Sequence, residues 1–289
     1  MNDTQKVHIP PLKIQGIKSK LVPFIRQNLA RENSVTITST TTWIEPFMGS
    51  GVVGLNLAAE NAIFADLNPH IVAFYNALKT GDVTAADVAL YLREQGALLA
   101  SHGEEYYYHV REKFNREHSP LDFLVLNRSC FNGMIRFNKN GDFNVPYGHK
   151  PERFSKAYVT KVTNQVRHFV DMIKNRNWIF ICQSFEDTIK MADERAFIYC
   201  DPPYIGRHVD YFDSWNERQE RALNQCLVKS RARFMLSTWD HNKYRQNPYI
   251  DALWGACEKT TASHFYFVGA KEANRNSVTE ALLTNYLAG

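Results

Sequence analysis

An acid, two consecutive prolines and an aromatic behind an apolar run, in Phe197-Ile198-Tyr199-Cys200-Asp201-Pro202-Pro203-Tyr204, constrain this chain more than any other feature of it. The apolar run reads as a buried strand, and the prolines forbid it to continue because they lack a ladder N–H and fix φ. An acid, free backbone carbonyls and an aromatic ring are therefore set together at a strand's C-terminal end. In open α/β sheets that edge is where ligands bind. Such a group suits a flat heterocycle carrying an amino group, with acceptors for its N–H bonds and a ring for its face. An ordinary strand-ending turn would use the same Asp-Pro dipeptide, so the surrounding sequence has to decide.

Upstream, Trp43-Ile44 is a short apolar strand feeding Glu45-Pro46-Phe47-Met48-Gly49-Ser50-Gly51, and a helical pattern follows through Val52, Val53, Leu55 and Leu57. Ala62-Ile63-Phe64-Ala65 is a second strand ending at Asp66, and a helix opens after Asn68-Pro69. Strand, glycine turn, helix, strand and acid in that order are the opening of a nucleotide-binding α/β sheet. The turn is not GxGxxG, since the third glycine is offset to Gly54, nor is it a phosphate-binding Gly-Lys-Ser/Thr loop. A cofactor without pyrophosphate fits better. Asp66 is placed to accept from ribose hydroxyls, and equally to cap the helix that follows.

From about residue 82 to 130 the pattern is helical and tyrosine-rich. Asn140-Gly141 then sits between apolar/polar alternations, which predicts a hairpin with a type I′ turn and positive φ at both central residues. A helix is expected over 159–173, strands over 178–182, 197–200 and 234–237, a helix over 217–228, and two closing strands over 264–268 and 280–285. The simplest organisation is one α/β domain, residues 1–80 and 176–289, interrupted by an insertion over 81–175.

Net charge over the whole chain is only +4, but residues 128–167 carry +6. Phe131, Phe137, Phe143, Tyr147, Phe154 and Tyr158 are interleaved with those cations, a pattern suited to a polyanion with stackable bases or to a solvated basic face. A second basic element, Pro11-Leu12-Lys13-Ile14-Gln15-Gly16-Ile17-Lys18, precedes a helix-like Leu21, Phe24 and Ile25 face. Its lysines could meet a carboxylate or a DNA backbone, and a solvated helix start would look the same. The five cysteines form no CxxC pair and no even framework, which argues for a reducing cytoplasm and against disulfides or structural zinc. No apolar run reaches the length of a membrane span, and the start lacks a signal-peptide pattern.

Together these motifs resemble the α-group DNA adenine-N6 methyltransferases, the Dam/DpnII-type or D12 class. Cofactor turn, insertion and Asp-Pro-Pro-Tyr follow in that family's order, over nearly the whole chain. Cys200 to Phe212, Asn127 to Asn138 and Phe143-Asn144-Val145-Pro146 are similar to the EcoRV-type modification enzymes within it. The resemblance implies a Rossmann-like S-adenosylmethionine-dependent methyltransferase sheet with a helical, β-hairpin-bearing DNA-recognition insertion. It implies N6 methylation of a flipped-out adenine in double-stranded DNA, without metal. The implied site contains GAT, with GATATC as the specific expectation, in a monomer linked to a restriction-modification system whose endonuclease acts separately. Methylation of RNA or of a protein amide, and a catalytically silent DNA-binding relative, are the alternatives.

The resemblance also assigns residues. Asp201, Pro202 and Tyr204 would hold the target base. Ile14, Lys18, Phe47, Gly49, Gly51, Asp66, Ser184, Phe185 and Asp201 would line the cofactor site, with Ile14 standing where many relatives carry tryptophan. Arg136 is the first choice for a bidentate guanine contact and Lys13 the second. Asn132, Asn138 and Asn144 would contact adenine edges or cap turns. Arg128, Lys139, Arg153 and Lys156 complete the DNA-facing set, the last three as phosphate contacts.

Overall fold

A computed structural model describes residues 6–29, 37–205, 215–265 and 277–286. Its centre is a seven-stranded sheet: β1 (Thr42–Glu45), β2 (Asn61–Asp66), β3 (Asn177–Cys182), β4 (Ala196–Cys200), β5 (Arg233–Asn242), β6 (Glu258–Phe265) and β7 (Ser277–Thr284). The spatial order is β3-β2-β1-β4-β5-β7-β6. The first five strands are parallel, and β7 enters antiparallel between β5 and β6. Chain direction across the sheet reverses between β1 and β4, whose register sets Thr42 beside Ala196 and Ile44 beside Ile198. The ends of those two strands flank the crevice where such sheets bind ligands.

Alternation along the strands builds two cores. Trp43, Phe64, Phe197, Tyr199, Met235 and Leu282 face one side, and Ile44, Ile198, Cys200, Leu236, Ala281 and Leu283 the other. The first face is covered by α1 (Val22–Leu29), α2 (Val52–Leu57), α3 (Pro69–Thr80), α4 (Ala85–Glu117), α5 (Pro120–Ser129) and α6 (Lys156–Ile173). The second is covered by α7 (Phe185–Lys190), α8 (Glu217–Lys229) and α9 (Pro248–Trp254). The apolar core runs without a break from the sheet into α4, α5 and α6, as where Phe169 of α6 meets Tyr75 and Phe180.

Gly54 explains why the third glycine is offset. A Cβ there would stand 2.3 Å from Phe64 Cε1 and 2.5 Å from Glu45 Oε2, so α2 lies flush on the sheet only with glycine. The helix expected after Asn68-Pro69 is capped by Asn68; Ser119 likewise caps a helix with proline in its first turn, and Thr84 forms a capping box with Asp87. α4 is broken at Gly103, whose φ is 56°.

Three expectations need correction. The hairpin turn is not type I′. Of its two central residues only Gly141 has positive φ, at 83°, and the Asn138 side chain holds the loop by accepting from Asn140 N and Asp142 N. With Gly141 N donating to Asn138 O, this is a type I turn followed by a left-handed glycine, closed by one bridge between Phe137 and Phe143. β6 starts at Glu258, six residues before the expected strand, because an edge strand can be polar. Residues 266–268 of that expectation lie outside the described residues. β5 runs to Asn242 through buried Ser237, Thr238 and Asp240, which do not read as strand.

Candidate active site

The turn after β1 is shaped by two left-handed glycines, Gly49 at φ 49° and Gly51 at φ 68°. Met48 N donates to Ala65 O at 2.8 Å, and the buried Tyr75 hydroxyl donates to Ser50 O at 2.7 Å, fixing the loop from below. Asp66 closes it: Oδ2 accepts from Gly49 N and Oδ1 from Asn68 N, both at 2.8 Å. Burial raises the Asp66 pKa, and these two N–H bonds oppose that rise. A carboxylate oxygen has two acceptor sites, so each still has capacity for a hydroxyl. Ile14 lies over the turn, with Cδ1 3.9 Å from where a Gly49 Cβ would be.

Beside the turn stand three aromatic rings. Phe47 and Phe185 stack at 5.4 Å between centroids, and Trp215 meets Phe47 edge-on at 5.4 Å and Phe185 at 5.5 Å. Ser184 caps α7 by accepting from Asp187 N at 3.2 Å, which turns Phe185 into this group. Sequence reading missed Trp215. Its indole N–H donates to the buried Glu220 at 2.7 Å, a pairing between residues that share no local pattern.

Past β4, Lys18 Nζ lies 3.0 Å from Asp201 Oδ1 and 3.2 Å from Gly16 O. The same ammonium lies 4.9 Å from the Tyr204 ring centroid. Burial lifts the Asp201 carboxyl to about 6; Lys18 pulls it down and Glu280 pushes it up. Tyr204 packs on Trp239 and donates its hydroxyl to Glu280 at 2.5 Å. Pro202 is buried between Asp201 and Tyr204. Glu45, at the end of β1, is buried as well, its Oε2 accepting from Trp43 Nε1 at 3.1 Å and Gly54 N at 2.9 Å. Burial raises its carboxyl to about 8. Glu45, Trp239 and Glu280 were not singled out from the sequence. A lone acid in a strand gives no local signal of what it will face.

The DNA-facing candidates divide. The backbone of Lys13 is held by the buried Asn127 side chain, which accepts from Lys13 N at 2.8 Å and donates to Lys13 O at 2.7 Å. The Lys13 stem crosses Gly133, where a Cβ would come within 2.4 Å of its Cδ. The segment before α1 and the turn after α5 thus form one surface. Partial burial lowers the Lys13 pKa, and Arg153, Arg128 and Lys150 push the same way. Lys139, Lys156 and Asn132 are exposed, with Asn132 left-handed at φ 54°.

Arg128 does not belong to that surface. It is buried, donating to Pro11 O, to Gln165 Oε1 at 2.9 Å and to Tyr158 Oη at 3.3 Å, and so ties the N-terminal segment to α6. Asn138 is a turn cap, as described above. Arg153 is half-buried, donating to Arg128 O and Tyr158 Oη, both at 2.7 Å. Arg136 donates Nε–H to Asn144 Oδ1 at 2.7 Å and a terminal N–H to Asn144 O at 3.1 Å. Asn144 therefore braces the guanidinium. Among the described residues, no helix is long and apolar enough to cross a membrane and no cluster of three His, Cys, Asp or Glu could hold a metal.

Residues 15–264 match the family described as D12 class N6 adenine-specific DNA methyltransferase. A DNA adenine methylase of Serratia marcescens is 33% identical over 247 residues, spanning 79% of this chain and 83% of its own. One from Salmonella typhi is 30% identical over 244 residues, spanning 79% and 80%. Among solved structures, an rRNA methyltransferase from Streptomyces viridochromogenes aligns over 96% of this chain and 89% of its own. That likeness, at 12% identity and a TM-score of 0.40, is too slight to add to the sheet order itself.

Proposed function

The chain belongs to the D12 class of N6 adenine-specific DNA methyltransferases, and we propose that it methylates an adenine turned out of the duplex, within a GAT-containing site such as GATATC. The observation that supports this most is the juxtaposition at the switch point. The glycine turn after β1 and Asp201 after β4 end neighbouring strands, so a cofactor held by one faces a base held by the other.

The family implies S-adenosylmethionine, and the residues present fit it. Left-handed Gly49 and Gly51 bring bare backbone to the crevice, Asp66 suits a ribose, and Phe47, Phe185 and Trp215 offer apolar faces to a purine. Lys18 suits the amino-acid carboxylate, with Ile14 beside it and Ser184 fixing Phe185. When bound, the cofactor supplies an electrophilic methyl on a sulfonium.

The protein's share is positioning and electrostatics. The adenine amino nitrogen is a poor nucleophile because its lone pair is delocalised into the ring. Asp201 and the Pro202 carbonyl would accept its hydrogens, favour pyramidal nitrogen, and stabilise the positive charge the nitrogen carries once the methyl has left sulfur for it, until one of those hydrogens leaves as a proton. Tyr204 closes the base site and offsets part of the few kcal/mol that unstacking costs. Residues 81–175 read the site, with Arg136 braced by Asn144 as the guanine contact, and Lys13, Lys139, Arg153 and Lys156 serving the duplex from around it. The chain works as a monomer of a restriction-modification lineage.

Asp201→Ala should abolish transfer of labelled methyl to DNA while sparing most cofactor binding, and full retained activity would refute the assignment. Expression in a methylation-deficient host, followed by single-molecule sequencing, returns the site; N6-methyladenine confined to sites lacking GAT would overturn that part.

A further inference from the structure

We propose that Glu280 is a positioning residue for methyl transfer, fixing the ring of Tyr204 through its hydroxyl. The inference rests on the reading of Asp201 and Tyr204 as the target-base site. Glu280 lies mid-strand in β7, in register with Trp239 of β5 on one side and Ala262 of β6 on the other. It shares a sheet face with Leu282, which belongs to the apolar core, and it is 1% exposed. Glutamate is depleted in strands, and a buried carboxylate is costly unless it is hydrogen-bonded. A valine or leucine would serve packing better at this position.

What the carboxylate supplies is an acceptor for the Tyr204 phenol, at 2.5 Å, within the range of a charge-assisted O–H···O⁻ bond. Tyr204 needs such a tether. It follows two prolines in a segment without helix or strand, so no backbone ladder sets its orientation. Trp239, opposite Glu280 in the ladder, packs on the Tyr204 ring, so one rung of the sheet supplies both the contact and the bond. On the N-terminal side, Lys18 joins Asp201 and sits over the same ring. The two base-site residues are thus held by β7 and by the segment before α1.

The test is steady-state kinetics with labelled S-adenosylmethionine and duplex DNA, on Glu280→Ala, Glu280→Gln, Tyr204→Phe and the Glu280→Ala/Tyr204→Phe double variant. Glu280→Ala should lower kcat about tenfold or more, the scale of one lost charge-assisted bond, with the cofactor KM within about twofold. Glu280→Gln, whose amide oxygen still accepts the phenol, should recover most of the rate. In the Tyr204→Phe background, Glu280→Ala should cost less than about twofold, because the bond is already gone. An unchanged kcat, an equal loss in both backgrounds, or a Gln variant as slow as Ala would overturn the proposal. Should Glu280→Ala not fold, Tyr204→Phe decides alone: it must lose kcat with its cofactor KM held, and a normal kcat refutes the role. A wild-type enzyme that methylates no adenine would instead defeat the reading beneath the inference, whereas an active enzyme indifferent to Glu280 defeats the inference only.

Discussion

The ammonium of Lys18, 5% exposed, stands 3.0 Å from the carboxylate of Asp201, so a segment preceding the first helix supplies the counter-ion of the acid that follows β4. Burial alone would favour the neutral acid; the lysine holds the Asp201 carboxyl at about 6, where it is mostly ionised at neutral pH. Tyr199 and Cys200 on β4, Glu45 on β1 and Glu280 on β7 surround the pair, and Lys18 is the cation among these groups.

Activity should therefore fall on the acid side as Asp201 protonates, with half the rate lost near pH 6. In Lys18→Met the raised carboxyl loses the partner that pulls it down, so the acid limb should move to higher pH by about one unit or more. The cofactor KM should rise as well, because Lys18 is read as the contact for the amino-acid carboxylate. A profile of kcat/KM for the cofactor against pH at saturating DNA, with the cofactor KM itself, checks both. An acid limb that stays in place in the variant would show that Asp201 is not the group being titrated.

Glu45 gives a stability prediction of definite sign. Its folded carboxyl is raised from 4.5 to about 8, so over that window the native state holds a proton that the unfolded chain has released. Its contribution is full below pH 4.5 and declines as pH rises toward 8. At about 1.4 kcal/mol per unit the change is on the order of a few kcal/mol. Because Oε2 accepts both N–H bonds, a Gln carbonyl can replace it and the amide nitrogen can take the place of the protonated oxygen. Glu45→Gln should flatten the stability profile across that window and be the more stable protein at its upper end. Urea midpoints at several pH values measure this, and parallel profiles for both proteins would count against a neutral Glu45.

Local patterns carried β1, β2 and β4, because these are apolar runs ended by proline or acid. They carried the Gly49 turn and the Asn68 cap for the same reason: a left-handed or capping position demands particular residues from the chain itself. What stayed hidden was decided across distance. Arg128 reads as one more cation in a basic stretch, and only the arrival of Pro11, Tyr158 and Gln165 makes it an interior strut. Glu280, Trp239 and Trp215 matter through partners on other elements, and polar Ser237 to Asp240 argue against the strand they occupy. The hairpin turn type hung on one side chain, since Asn138 bonding to two backbone N–H groups displaced the backbone-only solution that Asn-Gly suggests.

Asn127 tests whether Lys13 works with α5 and the turn that follows it. Fully buried, it accepts from Lys13 N, donates to Lys13 O, and donates to Gly133 O at 3.4 Å, so one amide fixes both polar groups of the Lys13 backbone. Asn127→Ala leaves those groups without their partner and should cost about 1–3 kcal/mol of stability. With Lys13 no longer held across Gly133, DNA binding should weaken. The slope of log affinity against log salt should flatten by about 0.9, one counter-ion's worth, as in Lys13→Ala. The double variant Lys13→Ala/Asn127→Ala should then show no further change in slope, because the charge has gone once already. Titration of duplex DNA at several salt concentrations measures the slopes, with melting curves to confirm the fold. A folded Asn127→Ala protein with the wild-type slope would mean that Lys13 meets DNA without its clamp, or does not meet it.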